Sequence, residues 1–331
     1  MNPTRRKFLS TASKTLGGLA VVQSFPGWAF ATRAPQINLI HRSSWAMGTP
    51  IRLSMLESEF DSAAADDAFG TMQEIDRVLT VHDEKSVLMA MNSQPGVWTP
   101  GSQLRDVANA ALQFGELSDG AMDVTILPAM RRFGFVPGSA TDSDLIDFRQ
   151  MEISEAGVRM KCEGTGADFG GIAKGYGVDQ SVNALKRSGL STALVDAGGD
   201  LYALGRPEAE RPWKIGIRHP ERENDLVATL EVENEAVATS GTYMQRRMVG
   251  GRDISHLMNP VTGQPVEHVI SATMVSPDTM TSDALATATS VMDRAAGQQL
   301  IESLPGAEGF LIYADGTHYI SKGLRIRLTI L

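Results

Sequence analysis

The chain has 331 residues, 42% hydrophobic and 21% charged, a composition that excludes a disordered or fibrous protein. Its formal charge of −9 argues against a nucleic-acid or anionic-membrane surface, which needs clustered Lys and Arg. A single cysteine, Cys162, excludes an intramolecular disulfide framework and a Cys-rich zinc site; with no motif around it, the expectation is a buried, inert thiol.

The chain opens on "TRRKFLS" (Thr4 to Ser10), a twin-arginine motif, followed by the weakly apolar "TLGGLAVVQSF" and a small-x-small site at Ala29, Phe30 and Ala31. That order predicts a Tat export signal over 1–31, a periplasmic mature protein, and one domain over 32–331. The apolar stretch is too short for a stable span, and the leader has no cysteine for a lipid anchor, so no stable membrane anchor is expected. Losing Arg5, Arg6, Lys7 and Lys14 with the leader takes the charge from −9 to about −13.

Next, "INLIHRSSWAMGTPIRLSML" alternates as a strand pair around a turn at Gly48. Asp61 is set to cap a helix whose apolar positions, Ala64, Ala68, Met72, Ile75 and Val78, recur in steps of three and four. A second helix carries Leu104, Val107, Ala108, Ala111 and Phe114 on one face. The polar segment from Pro137 to Lys161 predicts an excursion with one short helix and a hairpin. From Ala193 on, strands dominate: "WKIGI" with Trp213, Ile215 and Ile217 on one side, "LVATLEV" with Leu226, Ala228, Leu230 and Val232, and a closing "LRIRLTI" with Leu324, Ile326, Leu328 and Ile330. A helix from about Thr281 to Met292 lies between them. The pattern is α+β, a mixed and largely antiparallel sheet with packed helices.

Several segments carry chemistry. "DFGGIAKGYGVDQ" (Asp168 to Gln180) fits neither the P-loop nor the dinucleotide fingerprint. Gly170 and Gly171 still let a backbone approach a ligand, and Lys174 falls in a first helical turn, where free N–H groups favour an anion. An anion-binding turn and a solvent-facing lysine both fit. In "TSDALATAT", Asp283 and Thr287 are four apart, so their oxygens share a helix face and suit a hard cation such as Mg²⁺; a helix-start aspartate with an exposed threonine fits equally.

The ordered set "AMGT", "SVLMAMN", "DGAMDVTILPAMRRFGF", "DFGGIAKGYGVD", "LVDAGGDLYALG", "ATSGTY", "SHLMNPVTGQPV" and "SDALATA" closely resembles the ApbE family of FAD:protein FMN transferases, over nearly the whole mature chain. The Tat leader without a lipoprotein cysteine is similar to the NosX branch, which serves a nitrous-oxide respiration system. The resemblance implies a T-fold-like α/β domain that binds FAD and Mg²⁺, moves FMN onto a Thr or Ser hydroxyl of an acceptor flavoprotein (for the NosX branch, a NosR-like membrane protein) and releases AMP. It implies metal ligation by Asp283, Thr287 and a carbonyl near Gly171, and FAD contacts from Asp168 and Lys174. Met47, Asn92 and the "AMD" run of Ala121, Met122 and Asp123 match positions near the nucleotide, and His256 matches the histidine of the "SH" motif, the candidate base. One departure stands out: Asn259-Pro260 occupies the place of the family's Asp-Pro. Asparagine keeps the turn but loses a charge, which leaves open a flavin carrier without transfer; an FAD pyrophosphatase is the other alternative.

Overall fold

The computed structural model describes residues 21–22, 38–139, 145–208 and 211–331; the twin-arginine motif and the expected cleavage site after Ala31 lie outside the described residues. A two-residue strand, β1 (Val21–Val22), pairs in parallel with a later strand. β2 (Leu39–Ala46) and β3 (Thr49–Leu56) form the expected hairpin. Its two turn residues, Met47 and Gly48, both take positive φ, 52° and 71°, as a turn matched to strand twist requires. Asp61 then caps α1 (Ser62–Leu79), its carboxylate accepting from the amides of Ala63 and Ala64. Ala64, Ala68, Met72 and Ile75 are buried as the spacing predicts, with Leu79 joining them and Val78 half-buried.

α2 (Val87–Ser93) and α3 (Ser102–Leu117) follow, and all five predicted positions of α3 are buried. After α4 (Leu127–Arg132), the excursion holds a short 3-10 turn at Phe148–Gln150 and the hairpin of β4 (Met151–Ser154) and β5 (Gly157–Met160). Cys162 is half-buried rather than buried, because it lies just past this hairpin on the surface, its sulfur 3.6 Å from the Gln150 side-chain oxygen. The chain continues through α5 (Ala173–Arg187), β6 (Ala193–Ala197), β7 (Asp200–Leu204), β8 (Trp213–Arg218), β9 (Leu226–Val232) and β10 (Glu235–Gly241). Two small hairpins, β11 (Arg246–Val249) with β12 (Arg252–Ser255) and β13 (Met258–Asn259) with β14 (Gln264–Pro265), lead to β15 (Val269–Ser276). α6 (Thr279–Val291), α7 (Arg294–Ser303), β16 (Glu308–Tyr313), β17 (His318–Ile320) and β18 (Leu328–Ile330) complete it.

Eight strands form an antiparallel sheet in the order β17-β16-β15-β10-β7-β6-β3-β2. Strand residues alternate between faces. On β6, Ala193, Val195 and Ala197 pack toward α1 and α5, whereas Leu194 packs on Trp213, Ile215 and Leu230 of a smaller sheet, β1-β8-β9-β18. The result is three layers: helices, the main sheet, and the small sheet. With both faces covered, β6 and β7 are buried at every position.

Two expectations are corrected. "LRIRLTI" is not one strand: Leu324–Ile326 is a 3-10 turn, with Leu324 buried and Ile326 92% exposed, and only Leu328–Ile330 pairs with β9. Glu308 accepts the amide of Gly323 and tethers the chain there, so it must turn before it reaches β9. The α6 helix starts earlier than expected, because Asp278 caps it by accepting from the Thr281 amide.

Candidate functional site

The site is built where the first turn of α5 crosses α6. The crossing is close because position 175 is glycine: a Cβ there would come 2.4 Å from the Thr279 carbonyl oxygen. This contact brings three predicted residues together. The Asp283 carboxylate accepts from the Gly175 amide at 3.0 Å, and the Thr287 hydroxyl donates to the Gly171 carbonyl at 3.3 Å. A Cβ on Gly171 would come 2.8 Å from that hydroxyl oxygen, so the turn carbonyl reaches α6 only as glycine.

Lys174 is half-buried rather than a free surface charge, and its ammonium is engaged by carboxylates. Its ammonium donates to Asp200 and lies 3.3 Å from an Asp283 oxygen, and the two carboxylates are 4% and 2% exposed. Asp200 is the residue that sequence reasoning missed; it stands at the start of β7, after the Gly198-Gly199 turn. That turn is fastened by Asp196, whose carboxylate accepts from the Gly199 amide at 2.8 Å. Burial works against the charge on Lys174, but the two carboxylates outweigh it and hold its pKa above the ordinary value. Burial and the neighbouring Asp283 raise the Asp200 carboxyl well above the carboxylate range, even with Lys174 against it. Two buried acids facing one ammonium leave the cluster short of positive charge.

That shortage tests whether a hard cation suits these residues. Asp283 and Asp200 supply carboxylates, Thr287 a hydroxyl and Gly171 a carbonyl, the oxygen donors that Mg²⁺ takes alongside water and phosphate. Among the described residues no group of three or more His, Cys, Asp or Glu converges as a metal cluster, so a cation here draws on mixed donors. The residues fit the ion.

The turn that feeds α5 is held from two sides. Asn92 on α2 donates to the Ala167 carbonyl at 2.8 Å and accepts from the Ala167 amide at 2.7 Å. The Asp168 amide donates to Val124. Asp123 is buried and accepts from the amide and hydroxyl of Thr125 and from the Phe148 amide. Asn92 and Asp123 therefore act here by fixing backbone, their polar atoms already engaged. Asp168 accepts from the Gly170 amide at 2.9 Å, and burial raises its pKa. The Met122 amide donates to the Ser118 hydroxyl, and Ala121 packs on Leu257, Val266 and Val291. Met47 donates its amide to Asp76 at 2.8 Å and packs between α1 and α5 beside Gly177.

His256 lies in the connection between β12 and β13, half-buried, its ring edge-on to Phe135 at 6.4 Å and its Nδ1 3.3 Å from the Gln245 carbonyl. Burial lowers its pKa to about 4, against the opposing pull of the Gln245 carbonyl and with help from the Lys174 charge. The imidazole is thus neutral near pH 7 and competent to accept a proton. Asn259 closes the adjoining turn: its Oδ1 accepts from the amides of Val261 and Thr262, and its carbonyl from Gly263.

The chain is similar to known proteins in sequence and in fold. A model described as the ApbE family matches residues 47–311. The FAD:protein FMN transferase of Treponema pallidum is 30% identical over 298 residues, covering 81% of this chain and 82% of that protein. The Salmonella typhimurium protein of the same name is 26% identical over 261 residues, 73% and 74% of the two chains. Among solved structures, an ApbE protein from Thermotoga maritima matches with a TM-score of 0.80 at 27% identity, and the flavin transferase ApbE from Vibrio cholerae with 0.75 at 26%; each match covers 88% of this chain and 99% of the other. With the family model matching most of its length and a 30% identical relative covering 81% of it, the chain belongs to the ApbE family.

Proposed function

We propose that this chain is an enzyme, an FAD:protein FMN transferase, that uses FAD and Mg²⁺ to attach FMN to a Thr or Ser hydroxyl of an acceptor flavoprotein, with AMP as the other product. The observation that carries the reading is the convergence of Asp283, Thr287 and the Gly171 carbonyl beside Lys174, within a fold whose curated relatives bear that name.

The chemistry follows from the residues. The acceptor oxygen attacks the phosphorus of the FMN half, the bond to the AMP phosphate breaks, and the hydroxyl proton goes to a neutral base. His256 is assigned that role, since its imidazole is unprotonated near pH 7. Asp283, Thr287 and the Gly171 carbonyl would hold the Mg²⁺, with Asp200 as their neighbour. The ion supplies charge neutralisation at the diphosphate, the main barrier in such transfers. By the family resemblance, Asp168 and Lys174 are assigned to FAD contacts, with Met47, Ala121 and Met122 near the nucleotide. Asn92 supports them by holding Ala167 in the turn before α5, and Asp123 by fixing the backbone at Thr125 and Phe148.

The leader supports export by the Tat pathway to the periplasm, with residues 32–331 as the mature domain, and the acceptor is then an exported or membrane flavoprotein. A component of nitrous-oxide respiration, NosR-like, is the acceptor that the leader type favours. The test is the intact mass of a candidate acceptor after incubation with this protein, FAD and Mg²⁺. A gain of one FMN with stoichiometric AMP is expected. Tight FAD binding with no mass gain under any condition sinks the transferase reading in favour of a flavin carrier, and free FMN with an unmodified acceptor indicates a pyrophosphatase.

A further inference from the structure

Lys174, Asp200 and Asp283 come from three elements: the first turn of α5, the start of β7, and α6. Their meeting is a tertiary construction, since 26 residues separate Lys174 from Asp200 and 109 separate it from Asp283. The Lys174 side chain is 30% exposed, whereas both carboxylates are almost fully buried. Lys174 is therefore the most exposed member of the cluster. A charged, buried carboxylate pair without a counter-charge is strongly unfavourable, so a cation against it is favoured. Lys174 is the member that can leave without unpacking the core, because lysine carries its charge on a flexible four-carbon stem.

We propose that Lys174 is an exchangeable counter-ion: its ammonium and a divalent cation are alternative partners of the Asp200–Asp283 pair, so that cation entry moves Lys174 off the carboxylates, and Asp200 belongs to the cation's anionic environment. The inference rests on the metal assignment made above. It adds a carboxylate to the ligand set expected from the sequence and gives Lys174 a positioning role ahead of any contact with FAD. The exchange raises the charge facing the pair from +1 to +2, which offsets the deficit in the cluster.

The test is Mn²⁺ binding to the full-length protein, followed by the electron paramagnetic resonance of free Mn²⁺, together with the thermal midpoint with and without Mn²⁺. Lys174→Met, which keeps length and removes charge, is expected to bind Mn²⁺ about tenfold or more tightly than wild type, because the competing cation is gone. Its midpoint without Mn²⁺ should fall, and saturating Mn²⁺ should raise it by more than it raises wild type. Asp200→Asn is expected to weaken Mn²⁺ binding, and Lys174→Met with Asp200→Asn should lose the gain of the single variant. Wild-type Mn²⁺ affinity in Lys174→Met, or unchanged affinity in Asp200→Asn, overturns the exchange while leaving the metal site standing. Failure of wild type to bind Mn²⁺, with or without FAD, overturns both the metal assignment and the exchange. Should Lys174→Met be insoluble, a soluble double variant supports the ammonium as counter-charge. Insolubility of both means that the lysine stem packs rather than balances charge, and the proposal fails.

Discussion

His256 is held neutral by its surroundings, and two outcomes follow. His256→Ala should slow FMN transfer by about 10²–10⁴-fold, the range for a positioned proton acceptor, with little change in FAD affinity. Because its pKa lies near 4 rather than 6.5, kcat/KM should show no limb from this residue between pH 6 and 8 and should fall only as pH approaches 4. The stability sign agrees: a folded pKa below the unfolded value gives stability that is full above pH 6.5 and lost as pH falls toward 4. A rate limb near pH 6.5 that vanishes in His256→Ala would show a solvated imidazole instead. Asn259 invites the opposite outcome. Its Oδ1 accepts two turn amides, a task that aspartate performs equally, so Asn259→Asp should leave transfer within about twofold of wild type. A large acceleration, measured as acceptor mass gain against time, would mean that the missing charge matters to the chemistry.

At the scale of elements, the α5–α6 crossing fixes the site, and Gly175 permits it. Gly175→Ala places a methyl 2.4 Å from the Thr279 carbonyl, a backbone atom that cannot swing away. The two helices must separate, with a cost of about 1–3 kcal/mol in urea unfolding and a loss of transfer out of proportion to it. Wild-type stability and rate together would remove the crossing from the account. Elements whose signal is local were legible in the sequence: the steps of Ala64, Ala68, Met72 and Ile75, the Asp61 cap, and the turn at Gly48. So was the pairing of Asp283 with Thr287, since one helix face carries both. Asp200 was not, because nothing in "VDAGGDLYALG" reveals that β7 starts beneath the first turn of α5. Nor was the pairing of Lys174 with two buried carboxylates. Strand patterns in "WKIGI" and "LVATLEV" disclosed buried faces but not that these strands form a separate sheet. The break in "LRIRLTI" arises from a distant tether, Glu308, invisible to periodicity.

Taken whole, the molecule is a sheet clad by helices on one side and by a second sheet on the other, with the site at the helical face. No helix among the described residues is long and apolar enough to cross a membrane. Export is tested on the precursor: replacing Arg5 and Arg6 by Lys should strand it in the cytoplasm, and undiminished periplasmic accumulation would end the Tat assignment. The Lys174 ion cluster bears on the order in which the parts come together. Small domains that take their charge balance from a metal cannot fold until they have found it. Here the chain brings its own cation to the buried acids, so the layers can close before any ligand arrives. On the proposed counter-ion role of Lys174, folding would be uncoupled from cofactor supply. On the proposed Tat route, a precursor that travels folded would arrive complete in topology and could collect the proposed divalent ion and FAD there.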